Sequence, residues 1–305
     1  GHQSLFTNVS GASNTAVGRF SLKANTTGHS NVAFGTCALG TNNTGSENVS
    51  VGFKSLFSNV GSGIQNIAVG ACALHGQSGN DSLKNIGIGF NAGKQITTGT
   101  DNSFIGNAAG VNITTGKFNQ IIGSALTGVA GAAGEALTTG SCNVSLGNGS
   151  LKATTTADGN VAVGTIAMGT NTTGTRNVAV GQHAMKLSTT ASDSVMIGMT
   201  AGDAITTGTS NTAVGADVFS SNTTGDKNVA MGNSALGTNT TGDNNTAIGF
   251  FSLLANTTAA NNVGVGFCSL RDNTTGCQNV SVGTEALANN TTGNFNTAIG
   301  HKAMT

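Results

Sequence analysis

The residues of this 305-residue chain that could do chemistry are five histidines, five cysteines and a thin scatter of carboxylates. His2, His29, His75, His183 and His301 could act as general bases. A nucleophile triad also needs a Ser or Cys beside the His and a carboxylate behind it, and these five fall at different points of the sequence pattern with no recurrent partners. Cys37, Cys72, Cys142, Cys268 and Cys277 form no CxxC and no paired spacing, so neither a zinc site nor a disulfide framework is expected. They read as small, mostly buried side chains standing in for Ala or Ser. Asp226 and Asp243 sit in turn segments without the Gly-x-Asp ladder of calcium-binding rolls, and read as solvated turns rather than metal ligands. No glycine-rich word runs directly into a Lys-Ser/Thr pair or opens a helix, so they are not phosphate loops. No catalytic residue, cofactor or metal is expected, and the chain reads as non-enzymatic.

Asn25, Asn171, Asn222, Asn239, Asn256, Asn273 and Asn290 head Asn-x-Ser/Thr sequons on what the sequence presents as an exposed turn. In a eukaryotic secretory pathway they would be candidate glycan acceptors; in a bacterial or phage protein they would be plain turns. Charge points away from nucleic acid, since 12 basic residues balance 12 acidic ones with no block of either sign. No run of about 18 apolar residues is present, so no helix is expected to insert in a membrane.

What must position these residues is a repeat. Asn-x-x-x-Gly words begin at Asn14, Asn31 and Asn48 and continue to Asn296 with a 17-residue period. One unit reads Asn-Val-Ala-Val-Gly-x-x-Ala-Leu-x-x-Asn-Thr-Thr-Gly-x-x, as from Asn160 to Arg176; positions are numbered 1 to 17 below. A unit this short cannot bury its own apolar face and must stack on its neighbours. Alternation at Val178-Ala179-Val180 is strand periodicity. Gly at position 5 ends that strand in all 17 units, and the following small-Leu or small-Met pair, as at Ala38-Leu39 and Ala167-Met168, predicts a second short strand. The fold expected is all-β: a parallel β-solenoid, or β-roll, of about seventeen coils, forming a single domain over residues 1–305. The chain opens and closes in mid-repeat, which suggests a piece of something longer.

Stacking places position 1 in a column. Asn14, Asn31, Asn160, Asn177 and Asn228 belong to it, with Gly18, Gly35, Gly164 and Gly181 beside them, and the column is interrupted by Ser194 alone. Such a column predicts an amide ladder, a scaffold rather than a reaction site. Three units lack the usual Leu and carry Gly93, Gly110 or Gly202, and the same three carry Ile96, Ile113 or Ile205 three residues later. This reads as volume compensation within one core. Leu at Gly93 should then overpack the coil, and Ile96→Asn should relieve it.

Positions 3 and 8 are small, as at Ala33 and Ala38, Ser50 and Ser55, Ala162, Ala179, Ala298 and Ala303. They are expected to face away from a Val/Leu core and form a stripe on which copies of the chain meet. Units starting at Asn48, Asn66 and Asn119 are longer, at 18, 19 and 24 residues. The extra residues are expected after the second strand; Gly61, Ser62, Gln77, Asn80, Gly131 and Glu135 are the candidate contact-loop residues.

Asn-Thr-Ala-Val-Gly and Asn-Thr-Ala-Ile-Gly at Asn14, Asn211, Asn245 and Asn296, with small-Leu and Asn-Thr-Thr-Gly, resemble the repeat shafts of phage and viral tail fibres. They are also similar to the head repeats of trimeric autotransporter adhesins, whose units are shorter. The resemblance covers essentially the whole chain. It implies a left-handed, trimeric β-roll, extracellular on a virion or cell surface, that supports or mediates attachment to a host surface receptor or glycan. The alternative reading is an ice-binding solenoid using Thr columns such as Thr172 and Thr173, Thr223 and Thr224, and Thr240 and Thr241. Adjacent threonines on an extended segment would point to opposite sides, which weighs against it.

Overall fold

The computed structural model describes residues 1–58, 63–76, 83–124 and 131–304. The chain divides into two compact units, Gly1–Gly159 and Asn160–Thr305. Among the described residues, eight three-residue strands run from β1 (Thr15–Val17) to β8 (Val144–Leu146) in the first, and nine from β9 (Val161–Val163) to β17 (Thr297–Ile299) in the second. Within each unit every strand pairs in parallel with the corresponding strand of the next coil, one repeat on, as Thr15↔Val32 and Val178↔Val195. Each unit is thus a parallel β-solenoid with one repeat per coil.

The strands are short because Gly at position 5 ends them. Its φ lies far on the positive side, 126° at Gly18 and 137° at Gly181, and a Cβ on Gly181 would stand 2.2 Å from the Gly198 carbonyl oxygen of the next coil. No other residue could pass so close to the neighbouring backbone.

The expected second strand does not form. Positions 6 to 11 turn continuously, with left-handed φ at positions 7 and 9, 59° at Cys37 and 49° at Leu39, and again at position 17, 60° at Glu47. Each such non-glycine residue costs about 1 kcal/mol or more. The alternation turns successive peptides in opposite axial directions. Cys37 N–H donates back to Arg19 O (2.9 Å), while Leu39 N–H donates onward to Ser55 O (3.1 Å). Corner backbone is therefore hydrogen-bonded between coils much as a strand would be, and position 9 is aimed inward. A period-2 apolar pattern cannot distinguish these two ways of burying a Leu.

The core also differs from expectation. Positions 3, 8 and 9 are interior: Ala33, Ala38, Leu39, Ala162, Ala167 and Met168 are fully buried, as are Ser50 and Ser55. The small stripe thus lines the inside, where two opposing walls leave little room for larger side chains in most coils. The β-branched residues at positions 2 and 4 point outward, with Ile67 and Val69 more than a third exposed. The expected Val/Leu core is an Ala/Leu/Asn core.

The volume exchange is real and has a third member. Ile96, Ile113 and Ile205 are buried. A Cβ at Gly93 would lie 2.4 Å from Phe104 Cδ2, and one at Gly110 would lie 2.5 Å from Phe104 Cδ1. Phe104, at position 3 of its coil and fully buried, fills the space of both absent leucines. Met196 does the same for Gly202, whose Cβ would stand 2.8 Å from the Met196 sulfur. Ile121, Gly134 and Leu137 form a further set of the same kind, obscured in the sequence by the long insertion of that coil.

Candidate functional site

The asparagines of position 1 are bonded from coil to coil. At position 1, Asn31 Nδ2 donates to Asn14 Oδ1 of the coil before (3.1 Å) and to the Gly45 carbonyl of its own coil (2.9 Å); its N–H also donates to Asn14 Oδ1 (2.9 Å). The same geometry recurs at Asn177, on Asn160 (3.2 Å), and at Asn228, on Asn211 (3.2 Å). Ser194 keeps the backbone link to Asn177 (3.1 Å) and accepts from Asn211 N–H (3.2 Å), but has no amide to donate back to Asn177.

A second ladder occupies position 12 and corrects the sequon reading. Asn25, Asn171, Asn222, Asn239, Asn256 and Asn273 are fully buried, not on an exposed turn, and Asn290 is half-buried in the last complete coil. Asn239 Nδ2 donates to Asn222 Oδ1 (3.0 Å) and Gly242 O (3.0 Å), and its Oδ1 accepts from Asn256 (2.8 Å). Asn25 and Asn290 donate in the same way, to Asn8 (2.8 Å) and Asn273 (2.9 Å). Both ladders converge on one acceptor: Gly28 O takes Asn14 Nδ2 at 2.8 Å and Asn25 Nδ2 at 3.0 Å. In Asn25, Asn239, Asn256, Asn273 and Asn290 the nitrogen that a glycan would need is already committed to two internal bonds. The polar turn composition of Asn-Thr-Thr-Gly conceals this, because the buried amides bond a carbonyl of their own coil together with amides of neighbouring coils.

The other candidates are dispersed. Cys268 is buried, Cys37, Cys72 and Cys277 are half-buried and Cys142 is exposed, so the expectation of mostly buried cysteines holds for Cys268 alone; all five are free. Asp226 Oδ1 accepts from Thr209 N–H (2.6 Å) and Asp243 Oδ1 from Asp226 N–H (2.7 Å), tying one turn to the next. Among the described residues no His/Cys/Asp/Glu group is arranged to hold a metal, and no helix is long and apolar enough to cross a membrane. His29 Nδ1 lies 3.5 Å from Ser30 Oγ on the surface, while His75 stacks on Phe57 (5.4 Å between centroids). The Thr hydroxyls at position 13 donate to the next coil's carbonyl, as Thr223 to Thr240 O (3.2 Å), while Thr173, Thr224 and Thr241 at position 14 are exposed.

Gly61, Ser62, Gln77 and Asn80 lie outside the described residues. Gly131 and Glu135 are half-buried, and a Cβ on Gly131 would collide with the Glu135 carboxylate, so the two pack together. The insertion of that coil precedes the corner instead of following it, since Ser124 still pairs with Asn107 and Asn148 while Ala133 O already accepts Gly110 N–H at the position-8 register.

Two outer features remain once the scaffold is subtracted. One is the strand face. Position 4 is apolar in every coil and projects outward, as at Phe34, Ile88, Ile105, Leu146, Ile197 and Met231. Phe53, Phe90, Met199, Phe250 and Phe267 at position 6 extend this face, and all are exposed. The other is the corner edge at positions 6, 7 and 10, the least repetitive part of the unit. There Arg19, Phe20, Lys23, Phe53, Lys54, Phe57 and His75 gather over the first coils. Arg19 and Lys23 lie 4.4 and 4.8 Å from the Phe20 centroid, and Lys54 lies 5.4 and 5.6 Å from Phe53 and Phe57. The sequence offered no signal for either, because the apolar face was assigned to the core and the corner residues recur with no period. Compared with known proteins, no family model matches the sequence and no curated protein matches it.

Proposed function

We propose that the chain is a non-enzymatic shaft segment of an extracellular fibre or adhesin on a virion or cell surface, supporting attachment to a host, and that copies of it associate as a homotrimer. The observation that carries the reading is the apolar strand face. In each unit it measures about 400 Å², taking eight or nine strands ~4.8 Å apart and ~10 Å of strand width. That is the size at which an exposed patch on a soluble chain is usually an interaction surface. Inside the coils, amides and small side chains hold one coil to the next; the β-branched residues left outside have no partner within their own coil. Packing three copies around one axis buries this face and needs no large side chain. The resemblance to tail-fibre and adhesin repeats points the same way. Ice binding fits less well, because the position-13 hydroxyls that would make half of a paired Thr array are spent on backbone carbonyls.

Mass photometry with thermal melting tests this. Wild type should be trimeric, and Val180→Glu with Ile197→Glu should release monomers that keep their fold. A monomeric wild type, or trimers indifferent to both charges, would refute it.

A further inference from the structure

Beyond the strand face, one cavity of about 230 Å³ opens on the corner edge, lined by Phe20, Lys23, Cys37, Gly40, Thr41 and Phe57. It exists because of one residue. Gly40 occupies position 10 in the coil between those of Lys23 and Phe57, and a Cβ there would stand 2.8 Å from Phe57 Cε2. Any side chain at Gly40 would displace that ring or occupy the cavity. Phe20 and Phe57 sit two coils apart, roughly 10 Å along the stack, so they border the gap that Gly40 leaves.

The electrostatics are one-sided. Arg19, Lys23 and Lys54 surround the two rings, and among the described residues none of them forms an ion pair; the ion pairs present are Arg176–Asp193, Arg271–Asp272 and Lys302–Glu285, in the other unit. Their cationic heads lie within cation–π distance of the rings. A chain with only 12 basic residues in 305 places three of them here. Thr41, which also lines the cavity, donates its Oγ1–H to Phe57 O and keeps oxygen lone pairs able to accept.

We infer that this cavity binds a single saccharide ring carrying an anionic substituent: the ring fills the space that Gly40 leaves between Phe20 and Phe57, and Lys23 takes the charge. Aromatic walls alone would accept any apolar ring, and lysines alone any anion; the volume between them suits one ring bearing a charge. The inference concerns binding by the purified chain and stands apart from self-association, because Val180→Glu and Ile197→Glu lie in the other unit and leave the cavity untouched.

Ligand-observed NMR titration with glucuronate, glucose and acetate tests it. Glucuronate should saturate in the millimolar range, with glucose and acetate at least about tenfold weaker, as loss of one desolvated ion contact or of the apolar ring contact would produce. Lys23→Gln should weaken glucuronate by about tenfold and leave glucose unchanged, and Gly40→Leu, which keeps every charge but removes the cavity, should abolish binding. Phe20→Ala, a half-buried change, serves where Gly40→Leu alters the melting curve. No saturable glucuronate binding, acetate as tight as glucuronate, or binding that survives both Gly40→Leu and Phe20→Ala would overturn the assignment.

Discussion

Leucine at Gly93 tests how the core shares its volume. Backbone conformation is no obstacle, because φ is 57° at Gly93 while Leu39, Leu56 and Leu74 occupy the same position at 49°, 45° and 45°. Space is the obstacle: Phe104 Cδ2 and Leu74 Cδ2 would lie 2.4 and 2.8 Å from the new Cβ. Gly93→Leu alone should therefore cost about 1–3 kcal/mol from overpacking, and Phe104→Ala alone about 3–5 kcal/mol from the cavity it opens. Combined, the isobutyl group enters the space the ring vacates, and the pair should lose less than the sum by about 2 kcal/mol, within the range for side chains sharing a cavity. Ile96→Asn, the partner expected from sequence alone, should not rescue Gly93→Leu. The new amide would face Ile113 in the next coil, where no second amide continues the ladder. Urea titrations of the four variants by circular dichroism give the cycle. Additive losses for Gly93→Leu and Phe104→Ala, or rescue by Ile96→Asn, would refute the shared-volume argument.

Restoring the ladder with Ser194→Asn should raise stability by about 1 kcal/mol, since Asn85 makes the same bonds in a coil that also carries Ile at position 12; thermal melts check it. Asn239→Ala should cost about 2–3 kcal/mol by stranding Asn222 and Asn256, whereas Thr241→Ala on the exposed column should stay within about 0.5 kcal/mol; peptide mapping after expression in a secretory host should find Asn239 unglycosylated. Burial raises the Asp203 carboxyl above its ordinary value, opposed by nearby Lys186. A raised carboxyl favours the folded state below its unfolded value and loses that advantage as pH rises through the folded one. Asp203→Asn should accordingly stabilise the unit at neutral pH, with the gain disappearing in acid, as melts across pH would record. Ala179→Glu should unfold its coil instead of merely separating copies, because the side chain points into the core.

The sequence by itself determined the period, the parallel one-coil-per-repeat architecture, the position-1 amide column and the Gly/Ile exchange. Each follows from residue identity recurring at fixed spacing, and recurrence is visible without coordinates. Tertiary structure decided which way each column faces. Alternation in Val178-Ala179-Val180 says that two residues point one way and one the other, but either side could be interior. The close approach of opposing coil walls settles the matter for Ala179, leaving Val178 and Val180 outside. The same closeness hides Asn239, whose polarity suggests solvent until its three amide and carbonyl partners are seen. It also hides the role of Phe104, which compensates for glycines in its own coil and in the one before. A cavity that depends on Gly40 in one coil, Phe20 in the preceding coil and Phe57 in the following one has no signature in any single unit. It arises only where stacking brings three coils to one edge.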